Sequence, residues 1–428
     1  MDRRHFLKNI GAASLFASLP SSFKLHAAPT DYTGKLLITV QAVGGWDVTS
    51  FCDPKMNTAG EREINRWARA GETQTAGNIA YAPFANNAAF FQKYYQDIMV
   101  INGIDSQTNS HSAGETHNWS GKISEGHPSL TALFAGVHAP DFPITYINNG
   151  GYANTGNLVR YTRLDQTDEL LNVIYPNQNR WDANTNWLHN DDWQRITAAR
   201  NARLAELNAA TNQTARQTLN RSNYQSALSN SASLTDFANS LNNAGEIQGS
   251  VSNGNFFSTF RRQAQIALIA MSSGVTVSAD LIHWGFDTHD NHDADHTWLI
   301  SELTGGLDYL WTYAEQLGIA DRLVVLVGSD FGRTPHYNST EGKDHWPITS
   351  MMVMERGAPW GNRSVGTTDA IHNAVAINPQ TLLPDSSGTL IYPKDVMQSM
   401  REYLGLANSA GAQAFSLGAT SGFNFFAT

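Results

Sequence analysis

The sequence predicts an α/β fold, a doubly wound and mostly parallel sheet with helices on both faces and a helical insertion. Three observations carry that reading. Short runs of apolar and β-branched residues recur through the 428 residues, as expected of strands buried on both faces. Stretches with a helical apolar period lie between them. Polar clusters rich in Asp, His and Ser follow several of the runs, where sheets of this kind carry their chemistry.

Residues 1–28 read as a twin-arginine export signal. Arg3 and Arg4 precede Phe6-Leu7-Lys8, an apolar run extends from Ile10 to Leu19, and small residues stand at Ala27 and Ala28, the order of charged region, apolar region and cleavage zone. That run is too short to cross a bilayer, and no later segment is long and apolar enough for a stable membrane span. The expected partner is the twin-arginine translocase during export, and the expected location periplasmic or extracellular. Cys52 is the single cysteine, which excludes an intramolecular disulfide. The net charge is −10, and Arg3, Arg4, Lys8 and Lys24 against Asp2 give the leader +3, so the remainder stands at −13. So acidic a chain offers no electrostatic footprint for nucleic acid, and none is expected as a partner.

Residues 29–428 read as one domain. Its first strand is 35–43, Lys-Leu-Leu-Ile-Thr-Val-Gln-Ala-Val, ending in Gly44-Gly45-Trp46-Asp47. Further strands are expected at 97–104, 275–283, 322–329 and 350–355. A helix is expected where Leu299, Ile300, Leu303, Leu307, Leu310, Ala314 and Leu317 recur at a helical period. The insertion, about 186–260, is rich in Asn, Gln, Ala and Ser, with a helical pattern through Trp193, Ile196, Leu204, Leu207 and Leu219.

Four of the strand ends carry residues of metal-ligand type. They are Asp47; the stretch from Asn109 to Gly121, with Ser110, His111 and Ser112; the stretch from Asp287 to His296, with His289 and His292; and Asp330 to His336, followed by Asp344-His345. Eight of the twelve histidines beyond the leader lie in or beside these segments. Imidazole and carboxylate together suit zinc, manganese and iron, whereas calcium and magnesium prefer oxygen alone. The simplest use of such a convergence is a metal site that polarises an ester. Arg333 reads equally as a bidentate oxyanion binder or as the partner of a structural carboxylate. Trp46, Trp119, Trp284 and Trp346 flank the clusters and read first as packing residues.

Asp47 after the first strand, the Ser/His-rich helix start ending in Trp-Ser-Gly, Asp-Thr-His, Ser-Asp-Phe-Gly-Arg-Thr-Pro and Asp-His-Trp-Pro resemble the exported proteins grouped as domain of unknown function 1501. That group in turn resembles the alkaline phosphatase and sulfatase superfamily. The resemblance covers most of the chain outside the insertion and implies an alkaline-phosphatase-like fold. It implies that Asp287 with His289 or His292, together with His345, forms one metal site, and Asp47 with Asp330 a second. Asp344 belongs to the same pool. Phe331 stands where the superfamily usually places a histidine, which implies a single metal or a harder ion at the second site. The nucleophile position falls at or beside His111, with Ser110 and Ser112 on either side; a serine there would attack, and a histidine would attack or transfer a proton.

The function expected is an exported, metal-dependent hydrolase of phosphate or sulfate esters. The expected metal is divalent, zinc foremost, with calcium, magnesium or manganese as alternatives, and the substrate a small-molecule or glycan ester. The competing expectation is a non-catalytic cell-surface or periplasmic binding or assembly protein that retains the fold.

Overall fold

The computed structural model describes residues 32–427 apart from 165–173, 180, 183, 230, 246, 248–249, 253–254 and 258. The expected leader lies outside the described residues. Eight strands form the central sheet: β1 (Leu36–Val43), β2 (Ile98–Asp105), β3 (Tyr146–Asn148), β4 (Tyr161–Thr162), β5 (Ser278–Trp284), β6 (Leu323–Ser329), β7 (Ile348–Glu355) and β8 (Arg363–Val365). Their order across the sheet is β8-β2-β7-β6-β1-β5-β3-β4. β1 pairs in parallel with both β6 and β5, with Val40 opposite Val327 and Leu281. β7 alone runs against its neighbours, antiparallel to β6 and β2.

Every residue of β1 and of β6 is buried, so the centre of the sheet is covered on both faces. That is why their sequences lack an apolar–polar alternation. Around the sheet lie α1 (Asn87–Tyr94), α2 (His111–Ser120), α3 (Leu130–His138), α4 (Asn190–Ala209), α5 (Ala215–Ser229), α6 (Ser231–Asn243), α7 (Phe260–Ser272), α8 (His292–Gln316) and α9 (Pro393–Tyr403). α7 packs on α8 and β5, α3 on β5 and β1, and α2 on β6 and α9. α8 buries Leu299, Ile300, Leu303, Leu307, Leu310 and Ala314, the stripe visible in the sequence.

Helices α4, α5 and α6 occupy the amide-rich segment. α4 buries nothing: Trp193 and Leu204 are half-buried while Ile196 and Leu207 are exposed. α6 presses Leu234, Phe237, Ala238 and Leu241 into the core, and packs on α7. No helix among the described residues is long and apolar enough to cross a membrane.

The strand directions position the site. β1, β2, β5 and β6 all point the same way, so Asp47, the loop before α2, Asp287 and Asp330 leave the sheet at one end. Because β7 runs the other way, the residues that lead into it, Asp344 and His345, lie at that same end. Two further contacts bring α2 close to the tip of β6. Asn118 donates its amide to the carbonyls of Ser329 (2.8 Å) and Asp330 (2.7 Å). Gly114 faces the Asp330 carbonyl so closely that a Cβ there would lie 2.3 Å from the oxygen.

Candidate metal centre

Asp287 follows β5 and is the hub of the cluster. Its Oδ1 accepts from Arg333 Nη2 at 2.6 Å and lies 3.0 Å from both His289 Nε2 and His345 Nε2. Its Oδ2 lies 3.4 Å from His111 Nε2. Ligand atoms of His111, Asp287 and His345 come within 4.8 Å of one another, close enough to hold a metal ion.

Each imidazole is tied at its other nitrogen. His111 Nδ1 meets Asp330 Oδ2 at 2.5 Å, His289 Nδ1 meets Asp344 Oδ1 at 2.9 Å, and His345 Nδ1 donates to the carbonyl of Asn109 at 2.8 Å. A carbonyl only accepts, so His345 carries its proton on Nδ1; His289 has a carboxylate at each nitrogen, Asp344 at Nδ1 and Asp287 at Nε2, and its Nδ1-protonated tautomer is the one that leaves Nε2 free for a metal. In that tautomer the two Nε2 atoms present lone pairs to each other at 3.0 Å and to a carboxylate oxygen. Acceptors facing acceptors repel unless a cation stands among them. Imidazoles backed by a carboxylate or carbonyl are also the usual outer arrangement of histidine ligands. These residues therefore fit a divalent ion.

The electrostatics agree. Asp287, Asp330 and Asp344 face one guanidinium, three negative charges against one positive when the imidazoles are neutral. Although burial opposes it, Arg333 and His345 hold the Asp287 carboxyl down at about 2. The Asp330 carboxylate raises His111 above its ordinary value. Glu115, one turn after His111 on α2, is pushed up by burial and by the charge of Asp330.

The remaining residues expected at the site divide. Ser110 and Ser112 are exposed at the start of α2, their hydroxyls 3.4 Å apart. Arg333 is fully buried and gives its guanidinium to the carbonyls of Gly44, Gly45 and Lys343 as well as to Asp287, so its fork faces protein rather than an open anion site. Asp47 and Asp330 do not share a partner. Asp330 gives Oδ1 to the Gly44 amide (3.1 Å) and the Ser329 hydroxyl (2.8 Å) and Oδ2 to His111. Asp47 is enclosed with His292, whose Nε2 lies 3.1 Å from Oδ2, and with Lys343, whose ammonium lies 2.7 Å from the same oxygen. His292 thus faces Asp47 and not Asp287. Phe331 packs its ring against His111 and His345, at 4.8 and 4.6 Å between centroids. Trp46 and Trp119 are core residues, and Trp284 is half exposed.

Sequence reasoning passed over Lys343, Asn118, Glu115 and the Asn109 carbonyl. Lys343 had one signal, its place directly before Asp344-His345. Beside the cluster opens a cleft of about 370 Å³ lined by Arg62, Pro335, His336, Asp344, Trp346 and Ile371. Trp346 fixes its ring by donating its indole N–H to the His372 carbonyl at 2.9 Å.

The model of the family described as "Protein of unknown function (DUF1501)" matches residues 34–386. No curated protein sequence matches the chain. Among solved structures, the chain is similar to the lipoteichoic acid synthase LtaP from Listeria monocytogenes, with 11% identity and a TM-score of 0.40 over 91% of this chain and 76% of that one. It is similar to the phosphonate monoester hydrolase of Agrobacterium radiobacter, with 11% identity and a TM-score of 0.34 over 87% and 74%. Similarity to the PsFucS1 sulfatase from Pseudoalteromonas sp. is at 9% identity and a TM-score of 0.39 over 91% and 73%.

Proposed function

We propose that this chain, which belongs to the family of proteins of unknown function DUF1501, is a hydrolase of phosphate or sulfate esters that works with a divalent ion held by His111, Asp287, His289 and His345. The observation that carries the reading is the meeting of three imidazole Nε2 atoms on the Asp287 carboxylate, each ring tied at Nδ1 to Asp330, Asp344 or the Asn109 carbonyl. Three nitrogens and one carboxylate favour zinc over calcium or magnesium.

The ion supplies Lewis-acid polarisation of an ester oxygen. The chain's own residues orient and hold. Asp330, Asp344 and Asn109 fix the three rings, and Arg333 locks Asp287 from behind. The cleft beside Asp344 takes the part of a small-molecule or glycan ester beyond the ester group, against the Trp346 ring and the Arg62 guanidinium. The attacking group comes from the Ser110–Ser112 lip or from water. Export through the twin-arginine route, and with it a periplasmic or extracellular site, belongs to the same proposal and rests on Arg3-Arg4 and the run that follows.

Elemental analysis of the full chain and turnover of aryl phosphate and aryl sulfate with zinc, manganese or calcium test the reading together. Metal-dependent turnover lost in His345→Ala is expected, and the Ser110→Ala and Ser112→Ala variants decide the attacking group. Protein that binds metal at His345 yet turns over no ester under any ion would favour a non-catalytic binding role.

A further inference from the structure

We infer that the Lys343 ammonium holds the place of a second metal ion, so that the centre takes one divalent ion and gains another when this side chain is shortened. The inference rests on the metal reading above only for the first ion. The family resemblance implied a second site at Asp47 and Asp330, and the residues present do not fit it. Both oxygens of Asp330 are committed to His111, Gly44 and Ser329. Asp47 already has a cation.

Lys343 is fully buried, as are Asp47, Asn65, Thr49 and His292. Its Nζ donates to Asp47 Oδ2 at 2.7 Å, Asn65 Oδ1 at 3.0 Å and Thr49 Oγ1 at 3.3 Å. His292 Nε2 meets the same Asp47 oxygen at 3.1 Å. A carboxylate, an amide oxygen and a hydroxyl form an oxygen donor set suited to a divalent ion, and here they surround an ammonium, while His292 gives its Nε2–H to the carboxylate from the side. The shell is fixed from outside as metal ligands are. The Asn65 amide nitrogen donates to the carbonyls of Thr49 and Lys55, which keeps Oδ1 turned inward. Thr288 Oγ1 lies 2.7 Å from His292 Nδ1, which keeps Nε2 on Asp47.

Charge decides what the pocket accepts. Asp47 and Lys343 cancel, so a divalent ion would bring two uncompensated charges into a buried space. Remove the ammonium and one buried carboxylate remains among oriented acceptors, with room where the lysine stem lay. Lys343 touches no open surface and so meets no substrate; it acts as a positioning residue. Its backbone N–H donates to Thr288 at 3.1 Å and its carbonyl accepts from Arg333 at 3.0 Å. The fixed charge is therefore tied to both loops that carry Asp287, His289 and His345.

The test counts zinc and manganese per full chain after equilibrium dialysis, with melting temperature as the second reading. The wild type is expected to hold one ion, Lys343→Ala two, and Asp47→Asn/Lys343→Ala one. A folded Lys343→Ala that holds no more metal than the wild type overturns the inference, as does an extra ion that persists in the double variant. If Lys343→Ala is unfolded without metal, zinc-dependent refolding to a chain that holds two ions supports the inference. Failure of zinc to restore it while the double variant folds overturns it. A wild type with no ion and a Lys343→Ala with one would sink the proposed hydrolase centre and leave this inference standing, so the two failures are told apart.

Discussion

His111 Nδ1 and Asp330 Oδ2 are 2.5 Å apart, joining the first residue of α2 to the residue after β6 across 219 positions. The pairing turns the ring so that Nε2 faces Asp287. One carboxylate thus sets the aim of an imidazole that the helix start alone would leave free to rotate.

Loss of that aim is measurable. Asp330→Asn is expected to weaken zinc affinity by about 10- to 100-fold, the usual effect of removing a partner behind a histidine ligand. His345→Ala should weaken it further, since it removes a donor. Competition against a chromophoric chelator reads both, and an Asp330→Asn affinity equal to wild type would take His111 out of the centre.

The cleft makes a kinetic prediction. For an ester with a second anionic group, Arg62→Ala and Trp346→Ala are expected to raise KM by about 10-fold with kcat little changed, because contacts remote from the reacting bond contribute equally to ground and transition states. A fall in kcat at constant KM would place these residues at the ester instead.

Acid stability has a source away from the centre. Burial opposes ionisation of Asp53, yet His372, Lys55 and Thr368 hold its carboxyl at about 2, below the ordinary 3.8. A depressed carboxyl stabilises above its unfolded value and loses that contribution as pH falls through the folded one. The chain should therefore lose about 2 kcal/mol between about pH 4 and pH 2 from this group. Urea unfolding across that range, wild type against Asp53→Asn, checks it: the variant should start less stable and show a flatter acid limb.

Cys52 is buried and unpaired, and burial pushes its thiol above the ordinary range. Native protein should leave an aromatic disulfide reagent unreacted, and unfolded protein should titrate one thiol per chain. Rapid reaction of native protein would mean that the first-strand loop opens without global unfolding.

The central strands were legible because strands buried on both faces are written as unbroken apolar runs. The expected 35–43 and 322–329 differ by a residue or so from Leu36–Val43 and Leu323–Ser329. Edge strands of two or three residues, such as Tyr161–Thr162 and Arg363–Val365, carry too little pattern to be seen. Nor does an apolar run reveal its direction, so the reversal of β7 that brings His345 to the centre could not be read. At the site, residue types could be picked from the clusters around His111, Asp287 and His345, but not which nitrogen each ring offers. Lys343 had only its place before Asp344-His345 to mark it. A lysine reads as surface until Asp47, Thr49 and Asn65, nearly three hundred positions upstream, enclose it.

Gly114 deserves to be considered as a spacer. Glycine is a poor choice within a helix and weakens it by about 1 kcal/mol relative to alanine. Its missing side chain lets α2 rest against the Asp330 carbonyl. Any side chain at 114 would lift the helix, and with it His111, away from Asp330 and Asp287. An alanine there would strengthen the helix as an isolated segment while detuning the centre. A screen that selects only for heat resistance could therefore favour a change that a screen for bound zinc would reject, and the gap between the two rankings at position 114 would measure how much helix stability the chain forgoes to keep one imidazole in reach.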